Sequence, residues 1–142
     1  MLRAALIAGL SLAPLLAAAG EFFTLEGHGG PVKSSAVSPD GAILTASFDN
    51  SVGFWREGAP IWLEAHEAAV NTVIFVGPDR AVSAGDDFAL VLWDLESGHG
   101  QQLGTHDGKV MALAVAPDGR TIASASWDGS IGLWDTENPE SK

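Results

Sequence analysis

The residue types best suited to chemistry in this sequence are the serine, the aspartate and the histidine at Ser124, Asp128 and His106. In the stretch SASWDGSIGLWD, residues 124–135, Ser124, Ser126 and Asp128 alternate and therefore share one face of a predicted strand. A hydroxyl, an imidazole and a carboxylate in mutual contact form a nucleophilic triad, which predicts a hydrolase. A catalytic triad occurs once, in one pocket, beside donors that stabilise the oxyanion. The number of copies therefore distinguishes a catalytic set from a structural one.

The same set of residue types occurs three times along the chain. Three histidines lie 38 and 40 residues apart, and a valine follows each of them by four residues. A hydroxyl residue precedes an aspartate by four residues each time, and a tryptophan follows that aspartate by six. The three sets are His28, Thr45, Asp49 and Trp55; His66, Ser83, Asp87 and Trp93; and His106, Ser124, Asp128 and Trp134. Recurrence at nearly fixed offsets is the signature of a repeat protein.

The chemistry of the four groups favours a structural role. An indole only donates a hydrogen bond, a hydroxyl and a neutral imidazole donate and accept, and a carboxylate only accepts. The order Trp, Ser or Thr, His, Asp therefore satisfies every member, and a fully connected buried network is stabilising. We predict three structural tetrads and no catalytic residue. Ser126 lies outside the tetrad because Gly85 takes its place in the second set.

Each repeat contains short strand-like runs that are separated by turn residues. In the third, VMALAV leads through APDG to TIASAS, and then through WDGS to IGLWD. The second repeat has Arg80 where the others have Gly41 and Gly119, so we expect its first hairpin to differ. The apolar pieces PIWLE (60–64) and QQLG (101–104) supply a fourth strand. Four short strands in about 40 residues is typical of a propeller blade.

These motifs resemble the WD-repeat family of β-propellers. Gly27-His28 matches the opening motif, and Trp93-Asp94 and Trp134-Asp135 match the closing one, whereas the first repeat ends in Trp55-Arg56. The resemblance implies an all-β fold of three four-stranded antiparallel blades, with the tetrads in a structural role. It also implies that each repeat supplies the outer strand of one blade and the inner strands of the next. EFFTLE (21–26) is then an outer strand for the last blade.

The predicted organisation is a leader, three repeats and a tail. We place a signal peptide at 1–19, repeats at about 22–59, 60–99 and 100–135 within 20–135, and a flexible tail at 136–142. Because propellers have roughly four to eight blades, three repeats form a partial propeller. Three outcomes stay open: a piece of a longer propeller, self-association of several copies into a ring, or an open arc.

The first twenty residues predict export. MLRAALIAGLSLAPLLAAAG has a basic residue, an apolar run that Pro14 interrupts, and small residues for cleavage after Ala19. The uncharged run is shorter than the roughly 20 residues of a membrane span. We therefore predict a periplasmic or secreted protein without a stable membrane anchor. The absence of cysteine excludes disulfides, c-type haem attachment and thiolate metal sites in this chain.

The charge and the remaining candidates exclude several classes of ligand. Eighteen acidic and seven basic residues give a net charge of −11, which argues against nucleic-acid binding. His99 lacks metal-ligating neighbours, and Asp86-Asp87 lacks the alternating oxygen ligands of a calcium loop. We expect no metal and no cofactor.

The resemblance also implies a partner-binding rim on the open face of the propeller. The residue before each tetrad aspartate points away from that aspartate, and the positions three and five after each tetrad histidine share its face. Aromatic, methionine and lysine side chains there match the composition of interface anchors. The candidates are Lys33, Phe48, Asn71, Asp86, Lys109, Met111 and Trp127, with Pro31 and Ala69 beside them.

The sequence therefore favours an exported, non-catalytic scaffold that binds a protein partner. One alternative is a hydrolase that uses one of the His-Asp-Ser sets. Another is a domain that supports a periplasmic electron-transfer partner such as a cytochrome c.

Overall fold

The computed structural model describes residues 24–139, which form eleven strands. The strands are β1 Val32–Val37, β2 Ile43–Ser47, β3 Val52–Arg56, β4 Ala59–Leu63, β5 Val70–Gly77, β6 Arg80–Gly85, β7 Ala89–Asp94, β8 Gly100–Thr105, β9 Val110–Val115, β10 Thr121–Ser126 and β11 Ile131–Asp135. They pair only with antiparallel neighbours, in three sheets ordered β1-β2-β3-β4, β5-β6-β7-β8 and β9-β10-β11. The predicted all-β fold of propeller-type blades is confirmed.

The third sheet differs from the prediction, because it has three strands rather than four within the described residues. The outer strands β4 and β8 follow the closing tryptophan of one repeat and precede the histidine of the next. After β11 the chain turns at Thr136 instead of forming another strand. Of EFFTLE, residues 21–23 lie outside the described part of the chain, and residues 24–26 belong to no strand.

Turn chemistry sets the inner hairpins. Gly41 and Gly119 follow Pro-Asp and take the left-handed φ values of 86° and 67° that favour glycine. In the second repeat β5 continues to Gly77, which pairs with Arg80 across a two-residue turn. The first hairpin of this repeat is therefore tighter than its equivalents, which is the local difference expected from Arg80.

The core lies between neighbouring sheets. Alternation along β3 directs Val52 and Phe54 towards the second sheet, where they pack in one cluster with Trp93 and its neighbours. Leu90 and Leu92 of β7 pack in the same way in a cluster with Ile122 of the third sheet. At each junction, the side of one sheet that does not carry the tetrad therefore packs on the tetrad-bearing side of the next sheet.

The predicted leader at 1–19 lies outside the described residues. The predicted tail begins at Thr136, which is buried, donates its N–H to the Arg120 carbonyl over 3.0 Å and accepts a hydrogen bond from Arg80 over 2.6 Å. The first residue of that tail is therefore anchored to the fold. Across residues 24–139, no helix is long and apolar enough to cross a membrane.

Candidate functional site

The second repeat contains the most buried of the three tetrads. The Trp93 indole N–H donates to the Ser83 hydroxyl over 2.7 Å. That hydroxyl lies 2.7 Å from Nε2 of His66, and Nδ1 of His66 lies 2.8 Å from Asp87. With the proton on Nδ1, the ring donates to the carboxylate and accepts from the hydroxyl, so each group has a partner.

The first repeat has the same arrangement with a threonine as the hydroxyl. Trp55 donates to Thr45 over 2.9 Å, Thr45 lies 2.7 Å from Nε2 of His28, and Nδ1 of His28 lies 2.9 Å from Asp49. Ser51, two residues after the aspartate, adds a hydroxyl that donates to Asp49 over 2.6 Å. The side-chain network therefore has five members in this repeat.

The third repeat matches the first. Trp134 donates to Ser124 over 2.7 Å, Ser124 lies 2.7 Å from Nε2 of His106, and Nδ1 of His106 lies 3.0 Å from Asp128. Ser130 donates to Asp128 over 2.6 Å. The structure thus brings together all twelve residues that the sequence assigned to the tetrads. Sequence reasoning missed Ser51 and Ser130, although a serine two residues after the tetrad aspartate recurs in two repeats.

The tetrad aspartates tie a hairpin turn to the loop that carries the histidine. Each carboxylate accepts the backbone N–H of the residue after its histidine, over 2.8 to 3.0 Å, in the pairs Gly29–Asp49, Glu67–Asp87 and Asp107–Asp128. Ser126 accepts the N–H of Asp128 over 3.1 Å and takes no part in the tetrad. The network therefore fixes two loops at the same end of each sheet.

Two of these carboxyls have pKa values well below the usual range. Burial raises the pKa of Asp49, but hydrogen bonds from Ser51 and His28 outweigh that effect and lower it. The Ser130 hydroxyl is the largest influence that lowers the pKa of Asp128. Both side chains are therefore charged acceptors at neutral pH.

The burial of the hydroxyls argues against nucleophilic catalysis. Ser83 is 0% exposed, Ser124 1% and Thr45 8%, and each hydroxyl already contacts both an indole and an imidazole. These hydroxyls are buried and already hydrogen-bonded, whereas a catalytic nucleophile must reach its substrate. The geometry therefore favours the structural reading of the His-Asp-Ser sets over the hydrolase reading.

The candidate rim lies where the hairpin turns meet the starts of the inner strands. The N–H groups of the three turn residues donate to strand-start carbonyls over 2.8 to 3.0 Å, in the pairs Phe48–Pro31, Asp86–Ala69 and Trp127–Lys109. These bonds put the turn residue and the strand-start residue of each repeat side by side. The seven candidate residues therefore sit at one end of the three sheets.

A polar network at the centre of this rim joins the second sheet to the third. The Asp86 carboxylate accepts from Lys109 over 2.5 Å and from Asn71 over 2.7 Å. Asn71 also donates to the Val110 carbonyl over 3.0 Å and lies 3.7 Å from the Met111 sulfur. Burial raises the pKa of Asp86, but the hydrogen bonds from Lys109 and Asn71 outweigh this effect, so the pKa is lowered overall. The charged Asp86 carboxylate therefore lies between the ammonium group of Lys109 and the amide group of Asn71.

Two aromatic rings flank that network, and a lysine lies over each. The Lys33 ammonium is 5.0 Å from the centre of the Phe48 ring, and the Lys109 ammonium is 5.5 Å from that of Trp127. Phe48 is 48% exposed, Trp127 71% and Met111 37%. The rim therefore presents apolar surface beside fixed positive charge.

An apolar cavity of about 570 Å³ lies at the opposite end of the sheets, and sequence reasoning missed it. It is lined by the three equivalent inner turns, including Pro39, Pro78 and Pro117, and by Phe75. Equivalent turns from successive repeats meet there. The proline that recurs in these turns is the sequence feature from which the cavity could have been predicted. Among residues 24–139, no group of three or more His, Asp or Glu side chains is placed to hold a metal ion.

Comparisons with known proteins agree with this architecture. The family model described as WD domain, G-beta repeat, matches residues 20–56 and 99–135, which is more than half of the chain. The ribosome biogenesis protein WDR12 homolog of Chlamydomonas reinhardtii is 30% identical over 120 residues, covering 74% of this chain and 27% of that protein. Telomerase protein component 1 of Mus musculus is 34% identical over 125 residues, covering 82% of this chain and 5% of that protein. The mitotic checkpoint protein bub-3 of Caenorhabditis elegans is 34% identical over 73 residues, covering 51% of this chain and 21% of that protein.

The middle repeat lies outside the two matched segments, yet it contains the same tetrad as its neighbours. This chain spans no more than 27% of the length of the relatives compared above. Proteins built from such repeats generally serve as scaffolds for protein interaction and are typically non-catalytic. From its matched segments, its sheets and its three tetrads, the chain belongs to the WD40 repeat family.

Proposed function

We propose that this chain is an exported, non-catalytic scaffold whose rim binds another protein, and that its three blades form part of a larger propeller. The rim is the set of seven residues Lys33, Phe48, Asn71, Asp86, Lys109, Met111 and Trp127. Membership of the WD40 repeat family supports the general role, and the geometry of the rim supports the choice of surface.

The observation that carries the proposal is the convergence of two exposed aromatic rings and two lysines on one end of the sheets. Trp127 is 71% exposed, so its indole presents a large apolar surface to solvent. Aromatic residues and methionine are enriched at interfaces, whereas a solvated surface favours charged side chains. The Lys109 ammonium lies over the Trp127 ring at 5.5 Å from its centre, so the indole and a positive charge are presented together.

The charge of the rim indicates the chemistry of the partner. The chain as a whole has a net charge of −11, but the rim has two lysines and one aspartate. Lys109 is paired with Asp86, so Lys33 carries the uncompensated positive charge of the rim. We expect a partner with an acidic patch beside an apolar anchor pocket, and binding that weakens as salt is added.

Export is tested by the mass of the mature chain. We expect cell fractionation to recover the protein outside the cytoplasm, with an N-terminus at Gly20 after cleavage behind Ala19. A full-length chain in the cytoplasmic fraction contradicts this part of the proposal and leaves the rim to be judged by its own experiment.

The rim is tested by site-specific crosslinking in the compartment where the chain is found. A photoreactive side chain at Trp127 should capture one partner, and the same group at Ile61, a half-exposed apolar position on the outer strand β4, should not. With that partner purified, Trp127→Ala should weaken binding at least tenfold, about the loss expected for an interface anchor.

Ile61→Ala serves as the matched control, because it also removes exposed apolar surface, in this case from the outer strand β4. Its affinity should equal that of the unmodified chain. If Trp127→Ala binds as tightly as Ile61→Ala while the far-UV circular dichroism of both is unchanged, the rim is not the interface.

A further inference from the structure

Asp86 differs from its counterparts in the other two repeats. The equivalent turn positions are occupied by Phe48 and Trp127, whose side chains are 48% and 71% exposed. The Asp86 side chain is only 20% exposed, because it contacts Lys109 across the junction between the second and third sheets. The middle repeat therefore contributes a carboxylate that is turned towards the protein itself, where its neighbours contribute aromatic rings that are turned towards solvent.

The two oxygens of this carboxylate have unlike partners. Oδ1 accepts from the amide of Asn71 over 2.7 Å, and that amide also donates to the Val110 carbonyl over 3.0 Å. Asn71 is 7% exposed, so packing and two hydrogen bonds fix its position. Oδ2 accepts from the Lys109 ammonium, which ends a flexible side chain that is 40% exposed. Asn71 therefore keeps Asp86 in place whether or not Lys109 stays in contact with it.

Lys109 is the partner of Asp86 that another anion can take over. An ion pair near the surface contributes little to stability, because water solvates the separated charges well. Exchanging one carboxylate for another at Lys109 therefore costs little, and by itself it gains little. The Lys109 ammonium also lies 5.5 Å from the centre of the Trp127 ring, so an anion that reaches Lys109 arrives beside an exposed indole. An apolar group attached to that anion can cover the indole.

We propose that Asp86 is a built-in competitor: its carboxylate occupies Lys109 in the free chain, and a carboxylate of the partner takes its place there on binding. The inference rests on the proposed function of the rim and assigns the residue that sets its selectivity. A partner carboxylate without an apolar neighbour only replaces one ion pair by another, whereas one that adjoins a large apolar side chain also buries the Trp127 ring. Asp86 therefore restricts the rim to segments in which an acidic residue lies beside a large apolar one.

A second lysine acts on the same carboxylate. Burial raises the pKa of Asp86, whereas the hydrogen bonds from Lys109 and Asn71 and the positive charges of Lys109 and Lys33 lower it. Lys33 lies over the Phe48 ring at 5.0 Å from its centre, so the first repeat also presents a cation beside an aromatic ring. A segment with an acidic residue on either side of an apolar one has a carboxylate for each lysine.

Three synthetic tripeptides, blocked at both ends, test the proposal. Acetyl-Glu-Leu-Glu-amide has both kinds of group, acetyl-Gln-Leu-Gln-amide lacks the charges, and acetyl-Glu-Gly-Glu-amide lacks the apolar side chain. Each is titrated into the isotope-labelled chain at one ionic strength, and heteronuclear NMR gives the dissociation constant from the shift of the Trp127 indole signal, which Trp127→Phe identifies. We expect the first tripeptide to bind about threefold more tightly, or better, than either of the others.

Asp86→Asn removes the competing charge and keeps an oxygen that can accept from Asn71. The attraction of two unit charges about 4 Å apart in water corresponds to about a fivefold change in a dissociation constant. We therefore expect Asp86→Asn to tighten the binding of acetyl-Glu-Leu-Glu-amide about fivefold, and to leave the binding of the uncharged tripeptide unchanged.

Asp107→Asn is the matched control. It removes a carboxylate two residues before Lys109 that forms no ion pair within residues 24–139. The loss of this charge acts only through solvent, so it should tighten binding of the acidic tripeptide by about twofold at most.

A double-mutant cycle with Lys109→Gln separates exchange at Lys109 from repulsion at a distance. If a peptide carboxylate replaces Asp86, the gain from Asp86→Asn should be about threefold larger when Lys109 is present than in the Lys109→Gln chain. If Asp86 merely repels an acidic peptide, the gain is the same in both chains, and the proposal is wrong.

Two other results overturn the proposal. Asp86 is not a competitor if Asp86→Asn leaves the binding of acetyl-Glu-Leu-Glu-amide unchanged or weakens it. A Trp127 signal that does not shift at about 10 mM of this tripeptide shows that the rim takes no such carboxylate. Crosslinking at Trp127 judges the proposed function separately, so the two failures are distinct. If circular dichroism shows the Asp86→Asn chain to be unfolded, Asp86→Ser replaces it, with the same outcomes deciding.

Discussion

Removal of the Asp87 carboxylate tests whether the tetrads hold the fold together. In the second repeat the His66 side chain is fully buried, and its Nδ1 has Asp87 as its acceptor at 2.8 Å. Asp87→Ala also leaves the backbone N–H groups of Glu67 and Ala89 without the acceptor that they contact over 3.0 and 3.2 Å. Water replaces the acceptor for the exposed Glu67 N–H, but not for the buried imidazole.

The expected loss follows from that difference in exposure. A buried donor left without a partner costs about 1–3 kcal/mol, whereas a donor that water can reach costs much less. We therefore expect Asp87→Ala to lower the free energy of unfolding by about 1–3 kcal/mol, dominated by the His66 N–H. Asp87→Asn retains a carbonyl oxygen as acceptor, so its loss should be smaller.

Urea unfolding followed by tryptophan fluorescence measures this loss, at one protein concentration for all variants so that association does not enter the comparison. Asp107→Ala is the matched control, because it removes the same group from an exposed loop residue beside a tetrad histidine. If Asp87→Ala and Asp107→Ala lower the free energy of unfolding equally, the carboxylate does not anchor the network and the structural reading of the tetrads fails.

Two further predictions concern the tetrad aspartates of the other repeats and a close backbone approach at the end of β6. Because the pKa values of Asp49 and Asp128 are lowered on folding, their stabilisation is present above the unfolded-state value of about 4 and is lost as pH falls below it. Urea unfolding at several pH values should show that loss, and Asp49→Asn with Asp128→Asn should flatten the slope; an unchanged slope contradicts the assignment. Gly85→Ala should destabilise by about 1–3 kcal/mol, as overpacking does, because the added Cβ lies 2.1 Å from the Ala69 carbonyl oxygen. A thermal melt with unchanged midpoint contradicts the close approach.

The tetrads were predictable from the sequence because hydrogen-bonding capacity is a property of residue type. A donor-only indole, a hydroxyl, an imidazole and an acceptor-only carboxylate connect in one order, and the constant offsets place them on adjacent strands. His106 and Asp128 are 22 residues apart, yet two hairpins bring them to 3.0 Å. Local pattern and long-range contact therefore agree, as they do where a repeat is the unit of folding.

The strand count of the third sheet and the polar contacts at the centre of the rim were harder to predict from the sequence, and the physical reason is the same for both. The outer strand of a sheet belongs to the next repeat, so the strand count of the last sheet depends on a segment outside the third repeat. The contact of Asp86 with Lys109 likewise joins two sheets, and it depends on the distance and angle at which those sheets stack. A repeat pattern fixes the contacts within one sheet, whereas these features arise between sheets.

The same distinction bears on the proposed partner-binding rim. A network that is chemically alike in three repeats offers no basis for distinguishing one partner from another, so the proposed function requires positions at which the repeats differ. The residue before the tetrad aspartate is such a position, since it is Phe48 in the first repeat, Asp86 in the second and Trp127 in the third. All three residues lie in equivalent turns and donate a backbone hydrogen bond of similar length, so the backbone is alike in the three repeats while the side chain varies. The tetrads therefore fix the turns in place, and the unlike residues on those turns form the surface to which the proposed function assigns partner binding.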